Sequence, residues 1–178
     1  PDRVEDDFAA IDYDYDDARR LDSIVVASPG IPTISFDANF NLANQLTEQT
    51  IKLGDTVLAV LEFGYDSKGR QDTILQTVAG QTVQIDLVYD PVTGFLSQIN
   101  RGVGETIDVS SDFVYDPVTK LLDAIVHKDA NETPQLSFDY QRDTDGRVRV
   151  ETVNGQSRTI SYDAAGQVTR GDYQNNFV

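Results

Sequence analysis

Residues 89–99 read YDPVTGFLSQI and residues 115–125 read YDPVTKLLDAI, so one pattern occurs twice in the chain. The pattern begins with an aromatic residue followed by aspartate, and such pairs recur along the sequence. There are seven such pairs: Tyr15-Asp16, Phe36-Asp37, Tyr65-Asp66, Tyr89-Asp90, Tyr115-Asp116, Phe138-Asp139 and Tyr162-Asp163. Successive aspartates of these pairs are 21, 29, 24, 26, 23 and 24 residues apart. A recurrence of this length indicates a repeat protein built from one supersecondary unit.

The residues that precede each pair alternate between apolar and polar side chains. Val83, Ile85 and Leu87 fall on one face of an extended chain, and Thr82 and Gln84 fall on the other. This alternation predicts a half-buried β-strand. The aspartate then begins a turn, because its carboxylate can accept a hydrogen bond from a backbone N–H two residues further on. Each repeat is therefore predicted to be one β-hairpin.

Glycine and asparagine positions support this interpretation of the turns. A positive φ is expected at Gly69, Gly94, Gly146 and Gly166, and Asn41 is expected to take that role in the second repeat. The predicted fold is an all-β array of antiparallel β-hairpins that forms a curved or spiral sheet, a sandwich or a partial barrel. Residues 1–9 are predicted to be an N-terminal arm or edge strand, and residues 10–178 a single hairpin array.

The chain is strongly acidic, with 30 Asp and Glu against 14 Lys and Arg and a formal net charge of −16 at pH 7. Such a surface repels nucleic acid and anionic lipid, so neither is expected as a partner. The acidity is consistent with solubility in high salt or with calcium binding. No apolar run approaches the ~20 residues of a membrane-spanning helix. Because the chain begins at Pro1 and contains no methionine, it is expected to be a processed product.

The inventory of reactive side chains predicts no catalytic residues and no resident cofactor. Cysteine is absent, and the one histidine, His127, lies on a predicted strand without a partner of catalytic type. No Gly-x-Ser-x-Gly nucleophile motif is present. The abundant carboxylates could form a glycosidase-like pair, but their recurrence at turn positions favours a role in capping turns.

Calcium is the candidate ligand. Asp143 and Asp145 place two carboxylates two residues apart, immediately before Gly146. Alternate residues of an extended segment point to the same face, which can collect the oxygen ligands that calcium prefers. The alternative for Asp143 and Asp145 is an ordinary capped hairpin turn.

The repeated unit resembles the YD repeat of the RHS family. The pattern is an aromatic-Asp pair, a short Gly-Arg turn and a following Leu-x-x-Ile, and its best local matches are FGYDSKGR at residues 63–70 and ISYDAAG at residues 160–166. The resemblance implies secreted or surface-exposed hairpin arrays that curl into a spiral sheet, in some members a hollow shell around a toxin. It also implies roles in toxin delivery, adhesion and glycan binding.

These features predict a non-enzymatic structural protein located outside the cell or at the cell surface. Head-to-tail self-association into a filament or surface layer is expected through apolar residues near the two ends, Val4 and Phe8 at one and Phe177 and Val178 at the other. One alternative is an adhesin-type module that binds surface glycan or a partner protein. A second alternative is a fragment of an RHS-like toxin-delivery shell.

Overall fold

The computed structural model describes residues 2–6, 8–104 and 106–173, and this part of the chain is built from strands and turns without a helix. The fifteen strands are β1 (Asp2–Glu5), β2 (Ala10–Tyr15), β3 (Leu21–Ser28), β4 (Ile31–Phe40), β5 (Leu46–Leu53), β6 (Thr56–Tyr65), β7 (Gln71–Val78), β8 (Gln81–Tyr89), β9 (Leu96–Val103), β10 (Thr106–Tyr115), β11 (Leu122–Asp129), β12 (Pro134–Arg142), β13 (Val148–Val153), β14 (Gln156–Tyr162) and β15 (Val168–Tyr173).

The strands form one antiparallel sheet in the order in which they occur in the chain, from β1 to β15. The sheet is open rather than closed into a barrel, because β1 and β15 are its two edge strands. The predicted all-β array of antiparallel hairpins is confirmed. Residues 2–5, assigned from the sequence to an arm or edge strand, pair with β2 of the same chain.

The chain divides into two compact units. One consists of Pro1–Asp86 with Gly102–Thr106, and the other of Leu87–Arg101 with Ile107–Val178. Among β1–β7, and likewise among β11–β15, each strand contacts the strands that precede and follow it in the sequence and no more distant strand of the same group. This neighbour-only pattern is characteristic of repeat proteins, whose stability is approximately a sum of repeat and interface terms.

Very few side chains are fully buried in the described residues. Ala10 is the one apolar side chain below a tenth exposed, at 8%, and the buried polar residues are Ser110 and Ser111. Large apolar residues such as Ile31 and Val57 are 61% and 52% exposed. Most side chains of the strands are thus half-buried or exposed, and pairs of cross-strand neighbours are the unit of stabilisation in such a sheet.

Two kinds of turn connect most of the strands, and β11 and β12 are joined by a separate turn, residues 130–133, in which Asp129 Oδ1 accepts hydrogen bonds from the N–H groups of Asn131 and Thr133. Tight turns of two residues occupy positions 29–30, 54–55, 79–80 and 154–155. Ala79 and Gly80 both have positive φ (50° and 79°), as do Asn154 and Gly155 (48° and 80°), which is the requirement of a type I′ hairpin. Longer turns, here called repeat turns 1 to 7, occupy residues 16–20, 41–45, 66–70, 90–95, 116–121, 143–147 and 163–167.

In five of the seven aromatic-Asp pairs the aspartate is the first residue of a repeat turn, and in the other two it is not. Phe36-Asp37 lies inside β4 and Phe138-Asp139 inside β12, each four residues before its turn. The expectation that these two aspartates begin turns was therefore wrong. The reason is that side chains alternate between the two faces of a strand with a period of two. A pair four residues before the turn therefore has its two side chains on the same faces as a pair at the turn, and the sequence pattern looks the same. Repeat turns 2 and 6 begin instead at Asn41 and Asp143.

Candidate functional site: the repeat turns

The five-residue repeat turns share one backbone geometry. In repeat turn 3 the N–H of Asp66 donates to the carbonyl of Arg70 at 2.8 Å, and the N–H of Gly69 donates to the carbonyl of Asp66 at 2.9 Å. The fourth residue of each such turn has positive φ, and three of the five turns have glycine at this position because glycine adopts positive φ without strain. The values are 63° at Arg19, 62° at Asn44, 78° at Gly69, 82° at Gly146 and 79° at Gly166. Gly94, in a six-residue turn, also has positive φ (75°), so all four glycine predictions are confirmed.

The first side chain of each turn holds the backbone in place. Asp66 Oδ1 accepts hydrogen bonds from the N–H groups of Lys68 and Arg70, at 2.8 and 2.9 Å. Asp66 Oδ2 accepts from Nε of Arg70 at 2.8 Å. The same arrangement occurs at Asp16 with Arg20 and at Asp143 with Arg147. One carboxylate thus satisfies two backbone donors and one guanidinium, which fixes the conformation of the turn.

In repeat turn 2 the first residue is Asn41, and its side chain caps the turn as aspartate does in the other turns. Its Oδ1 accepts hydrogen bonds from the N–H groups of Ala43 and Gln45, at 2.9 and 3.0 Å. The positive φ expected at Asn41 belongs instead to Asn44. The prediction for Asn41 was therefore wrong, because two asparagines lie in this turn and the sequence did not separate the side-chain acceptor from the left-handed residue.

Repeat turns 4 and 5 are six residues long and contain proline. Oδ1 of Asp90 accepts from the N–H groups of Val92 and Thr93 and from the Thr93 hydroxyl, at 3.0, 2.6 and 2.8 Å. Asp116 makes the corresponding bonds to Val118 and Thr119. In these two turns the last residue is Phe95 or Leu121, so no arginine of the turn reaches the second carboxylate oxygen.

The hydrogen bonds hold the turn carboxylates in the ionised form. The backbone N–H of Arg20 lowers the pKa of Asp16, that of Arg70 lowers the pKa of Asp66, and that of Thr119 lowers the pKa of Asp116. For Asp143, burial acts to raise the pKa, but the N–H and guanidinium of Arg147 outweigh it and the pKa is lowered. Because donors stabilise the charged form, these turns are most stable when the aspartates are ionised.

Neighbouring repeat turns within a unit are also joined to each other. In each case the side chain just before one repeat turn donates a hydrogen bond to a backbone carbonyl just after the previous repeat turn. Tyr65 Oη donates to the carbonyl of Leu46 at 2.7 Å, and Tyr162 Oη donates to the carbonyl of Val148 at 2.8 Å. At repeat turn 6 the residue before the turn is Arg142, whose guanidinium donates to the carbonyl of Leu122 at 2.7 Å.

Arginines at the ends of repeat turns add a second link between neighbours. The Arg20 guanidinium lies 4.6 Å from the ring centroid of Phe40, and the Arg147 guanidinium lies 5.1 Å from that of Tyr162. Arg20 also donates to Oδ1 of Asn44 at 2.8 Å. Each of these arginines therefore bonds to the aspartate of its own turn and stacks on the aromatic residue before the next, a cation–π contact.

The candidate calcium ligands are both engaged by one arginine. Arg147 pairs with Oδ2 of Asp143 and with Oδ2 of Asp145, each at 2.8 Å. Asp143 Oδ1 is occupied by the N–H groups of Asp145 and Arg147. The described residues contain no group of three or more acidic or histidine side chains arranged to hold a metal ion.

The lone histidine forms a hydrogen bond to a serine. His127 Nδ1 lies 2.8 Å from Ser111 Oγ, and the His127 ring packs edge-on against Phe138 at 6.1 Å between centroids. Ser111 is only 3% exposed, so a substrate has no access to its hydroxyl. The pair therefore has the character of a packing contact on the sheet rather than of an activated nucleophile.

The residues expected to mediate assembly are exposed where they are described. Val4 is 63% exposed in the edge strand β1, and Phe8 is 79% exposed in the loop between β1 and β2. Phe177 and Val178 lie outside the described residues. A helix with the length and apolarity to cross a bilayer is not found in the part of the chain that the structure describes.

Comparison with known proteins gives a structural likeness without a sequence match. No protein-family model and no curated protein sequence matches the chain. The crystal structure of TcdB2-TccC3-Cdc42 is similar over 90% of this chain, with a TM-score of 0.54 and 15% sequence identity. The Photorhabdus luminescens Tc holotoxin pore, solved with a substitution in TccC3, is similar over 92% of it, with a TM-score of 0.56 and 15% identity. The chain spans 12% of the length of each matched chain.

These similarities show an RHS-like fold at low sequence identity. The fold is shared with a segment of Tc toxin components.

Proposed function

We propose that the chain is a non-enzymatic wall segment of an RHS-like shell, acting outside the cell or at its surface. The observation that carries this proposal is the open sheet of fifteen strands in chain order, in which almost nothing is fully buried. A sheet that ends in two edge strands, β1 and β15, fits a segment of a wall that is continued by further strands. The likeness to a segment of TcdB2-TccC3 supports the same proposal.

The chemistry of the repeat turns supports a structural role rather than catalysis. The carboxylates of Asp16, Asp66 and Asp143 accept backbone and guanidinium hydrogen bonds from their own turns. A general acid or base needs a carboxyl group that is free to exchange a proton with substrate near neutral pH. These groups are held ionised by fixed donors, and their function is to set the geometry of the hairpins.

Protease protection tests the wall function. In the native gene product that contains this sequence, an enclosed polypeptide is expected to resist protease until the wall is opened. The variant Asp66→Ala with Asp143→Ala removes two capping carboxylates and is expected to make that polypeptide cleavable, while Asp55→Ala, in a tight turn, leaves it protected. Finding no protected polypeptide in the unsubstituted protein would contradict the proposal.

A second candidate function is head-to-tail self-association, and the exposed apolar residues near the edge strand β1 favour it. Val4 is 63% exposed in β1, and Phe8 is 79% exposed in the loop that follows. An uncovered edge strand with exposed apolar side chains can pair with a strand of another copy. Sedimentation velocity is expected to show larger species as concentration rises. A monomer at every concentration and salt would rule this candidate out.

A further inference from the structure

A cavity of about 320 Å³ lies between repeat turns 4 and 5. Its walls include the rings of Phe95, Phe113 and Tyr115, and its charged residues are Asp90, Asp116 and Lys120. Phe95 and Tyr115 are 5.0 Å apart between ring centroids and inclined at 47°. The volume falls within the range of small-ligand pockets, and the combination of aromatic faces with carboxylates is suited to a cation.

Elsewhere in the chain, the corresponding position between two successive repeat turns is occupied by the guanidinium of an arginine. In repeat turns 1 and 6 the last residue is an arginine that pairs with the aspartate of its own turn, at 2.6 and 2.8 Å. The same arginines, Arg20 and Arg147, lie over the aromatic rings that precede the next turns, Phe40 and Tyr162. The space between two successive turns is therefore filled by a guanidinium held between a carboxylate and a ring.

Repeat turn 4 lacks that guanidinium. Its last residue is Phe95, and the hydrogen bonds to the Asp90 side chain all go to Oδ1. In the described part of the chain, no donor is bonded to Asp90 Oδ2. Asp116, at the far side of the cavity, uses Oδ1 in the same way. The cavity thus retains the ring and the carboxylate of the internal arginine site, while the arginine is replaced by a residue that cannot pair with Asp90.

Lys120 is the charged neighbour that a ligand would meet. Its Nζ donates to the carbonyl of Pro117 at 2.6 Å. The backbone N–H of Thr93 lowers the pKa of Asp90, and the N–H of Thr119 lowers that of Asp116. The positive charge of Lys120 makes a smaller contribution in the same direction to both, so both are ionised at neutral pH. Two carboxylates against one ammonium leave the cavity with a net negative charge.

We propose that this cavity binds an arginine side chain of a partner protein, with the guanidinium paired to Asp90 and stacked on the ring of Tyr115 or Phe95. Arginine is favoured over lysine because its planar guanidinium pairs with a carboxylate through two N–H groups and stacks on an aromatic face at the same time. The net charge of −16 attracts a basic partner surface. This inference does not depend on the wall function.

The test is titration of the isotope-labelled chain with N-acetylarginine methylamide at pH 7, followed by NMR. Saturable shifts are expected at Thr93, Phe95, Tyr115 and Val118, with a dissociation constant on the order of millimolar for a single side chain. The citrulline analogue, which is neutral and of similar shape, is expected to bind at least about tenfold more weakly. The lysine analogue is expected to bind more weakly than the arginine compound.

Substitutions distinguish this site from general attraction to an acidic surface. Phe95→Arg supplies the missing guanidinium from within the chain and is expected to abolish binding. Asp90→Asn is expected to weaken binding about tenfold, because the charge-assisted bond is lost while an amide can still cap the turn, as Asn41 does. The control Asp55→Asn removes the same charge elsewhere and is expected to leave binding unchanged.

Three results would overturn the proposal. The first is the absence of saturable shifts at repeat turns 4 and 5. The second is equal binding of the arginine and citrulline compounds, which would mean that the carboxylates take no part. The third is unaltered binding of the arginine compound to Phe95→Arg, because the introduced guanidinium is expected to occupy the cavity.

Discussion

The first residue of a repeat turn needs a side-chain oxygen rather than a negative charge. Asn41 Oδ1 accepts the same two kinds of backbone hydrogen bond that Asp66 Oδ1 accepts. The negative charge is needed where the turn ends in arginine, because Oδ2 then binds the guanidinium. Likewise, the residue before the turn needs a donor that reaches the neighbouring strand, and Arg142 supplies it in place of tyrosine.

The positive φ of the fourth turn residue gives a prediction for stability. Gly69 has φ of 78°, and an added Cβ would lie 3.4 Å from Nε2 of Gln45. Gly69→Ala is expected to lower the free energy of unfolding by about 1–2 kcal/mol, because an L-residue is strained in this region. Gly171→Ala, at a glycine without positive φ and with open space around it, is the control. Urea denaturation that gave equal losses for both variants would contradict this reading of the turn.

The turn carboxylates predict how stability depends on pH. The pKa values of Asp16, Asp66, Asp90, Asp116, Asp129 and Asp143 are lowered in the folded protein. A folded pKa below the unfolded value of about 3.9 gives stabilisation that is complete well above that pH and is lost as the pH falls through the folded pKa. The midpoint of thermal unfolding is therefore expected to change little between pH 7 and 5 and to fall below about pH 4.

A double substitution checks that these carboxylates are the cause. Asp16→Asn with Asp66→Asn keeps an acceptor oxygen at each turn and removes two of the titrating groups. Its unfolding midpoint is expected to be lower at pH 7, where the two ion pairs are lost, and to fall less steeply in acid. An acid dependence as steep as that of the unsubstituted chain would assign the effect to other carboxylates.

At the scale of the element, adjacent hairpins are held by side chains that pass from one repeat to the next. Tyr65 Oη donates to the carbonyl of Leu46 at 2.7 Å. Tyr65→Phe removes this bond alone and is expected to lower the free energy of unfolding by about 0.5–1.5 kcal/mol. Tyr15→Phe, at a residue 45% exposed whose hydroxyl makes no hydrogen bond in the described residues, is expected to have almost no effect. Equal effects of the two variants in urea denaturation would contradict the link.

The hairpins and most of their turns could be predicted from the sequence, because alternation and turn chemistry are local properties. Five aromatic-Asp pairs supply the first residue of a repeat turn, but Phe36-Asp37 and Phe138-Asp139 do not. Repeat turns 2 and 6 depart from the pattern in one residue each, Asn41 in place of aspartate and Arg142 in place of an aromatic residue. The aromatic-Asp pattern therefore does not mark these two turns, and it also occurs at two positions inside strands.

The links between turns could not be predicted in the same way. The stacking of Arg20 on Phe40 and the pairing of Arg147 with both Asp143 and Asp145 join residues whose proximity depends on the packing of side chains. The cavity between repeat turns 4 and 5 depends on the same packing. Calcium binding at Asp143 and Asp145, the adhesin alternative and the assembly roles of Phe177 and Val178 stay predictions.

At the scale of the whole molecule, stability is expected to be distributed along the array. Among β1–β7, and likewise among β11–β15, each strand contacts only its neighbours in the sequence. A chain that ends at Val153, and so lacks β14 and β15, is expected to keep the amide hydrogen-exchange protection of β2 to β7, because nearest-neighbour terms dominate. Protection in β13, which loses its partner β14, is expected to decrease. Loss of protection throughout the truncated chain would show one cooperative unit instead.

Cryo-electron microscopy of the native gene product that contains this sequence tests the wall function most directly. The expected result is a hollow RHS-like shell in which residues 2–173 form part of the wall, with their strands in chain order and further strands paired to β1 and β15. A reconstruction without a lumen, or one in which β1 and β15 remain unpaired edges exposed to solvent, would contradict it.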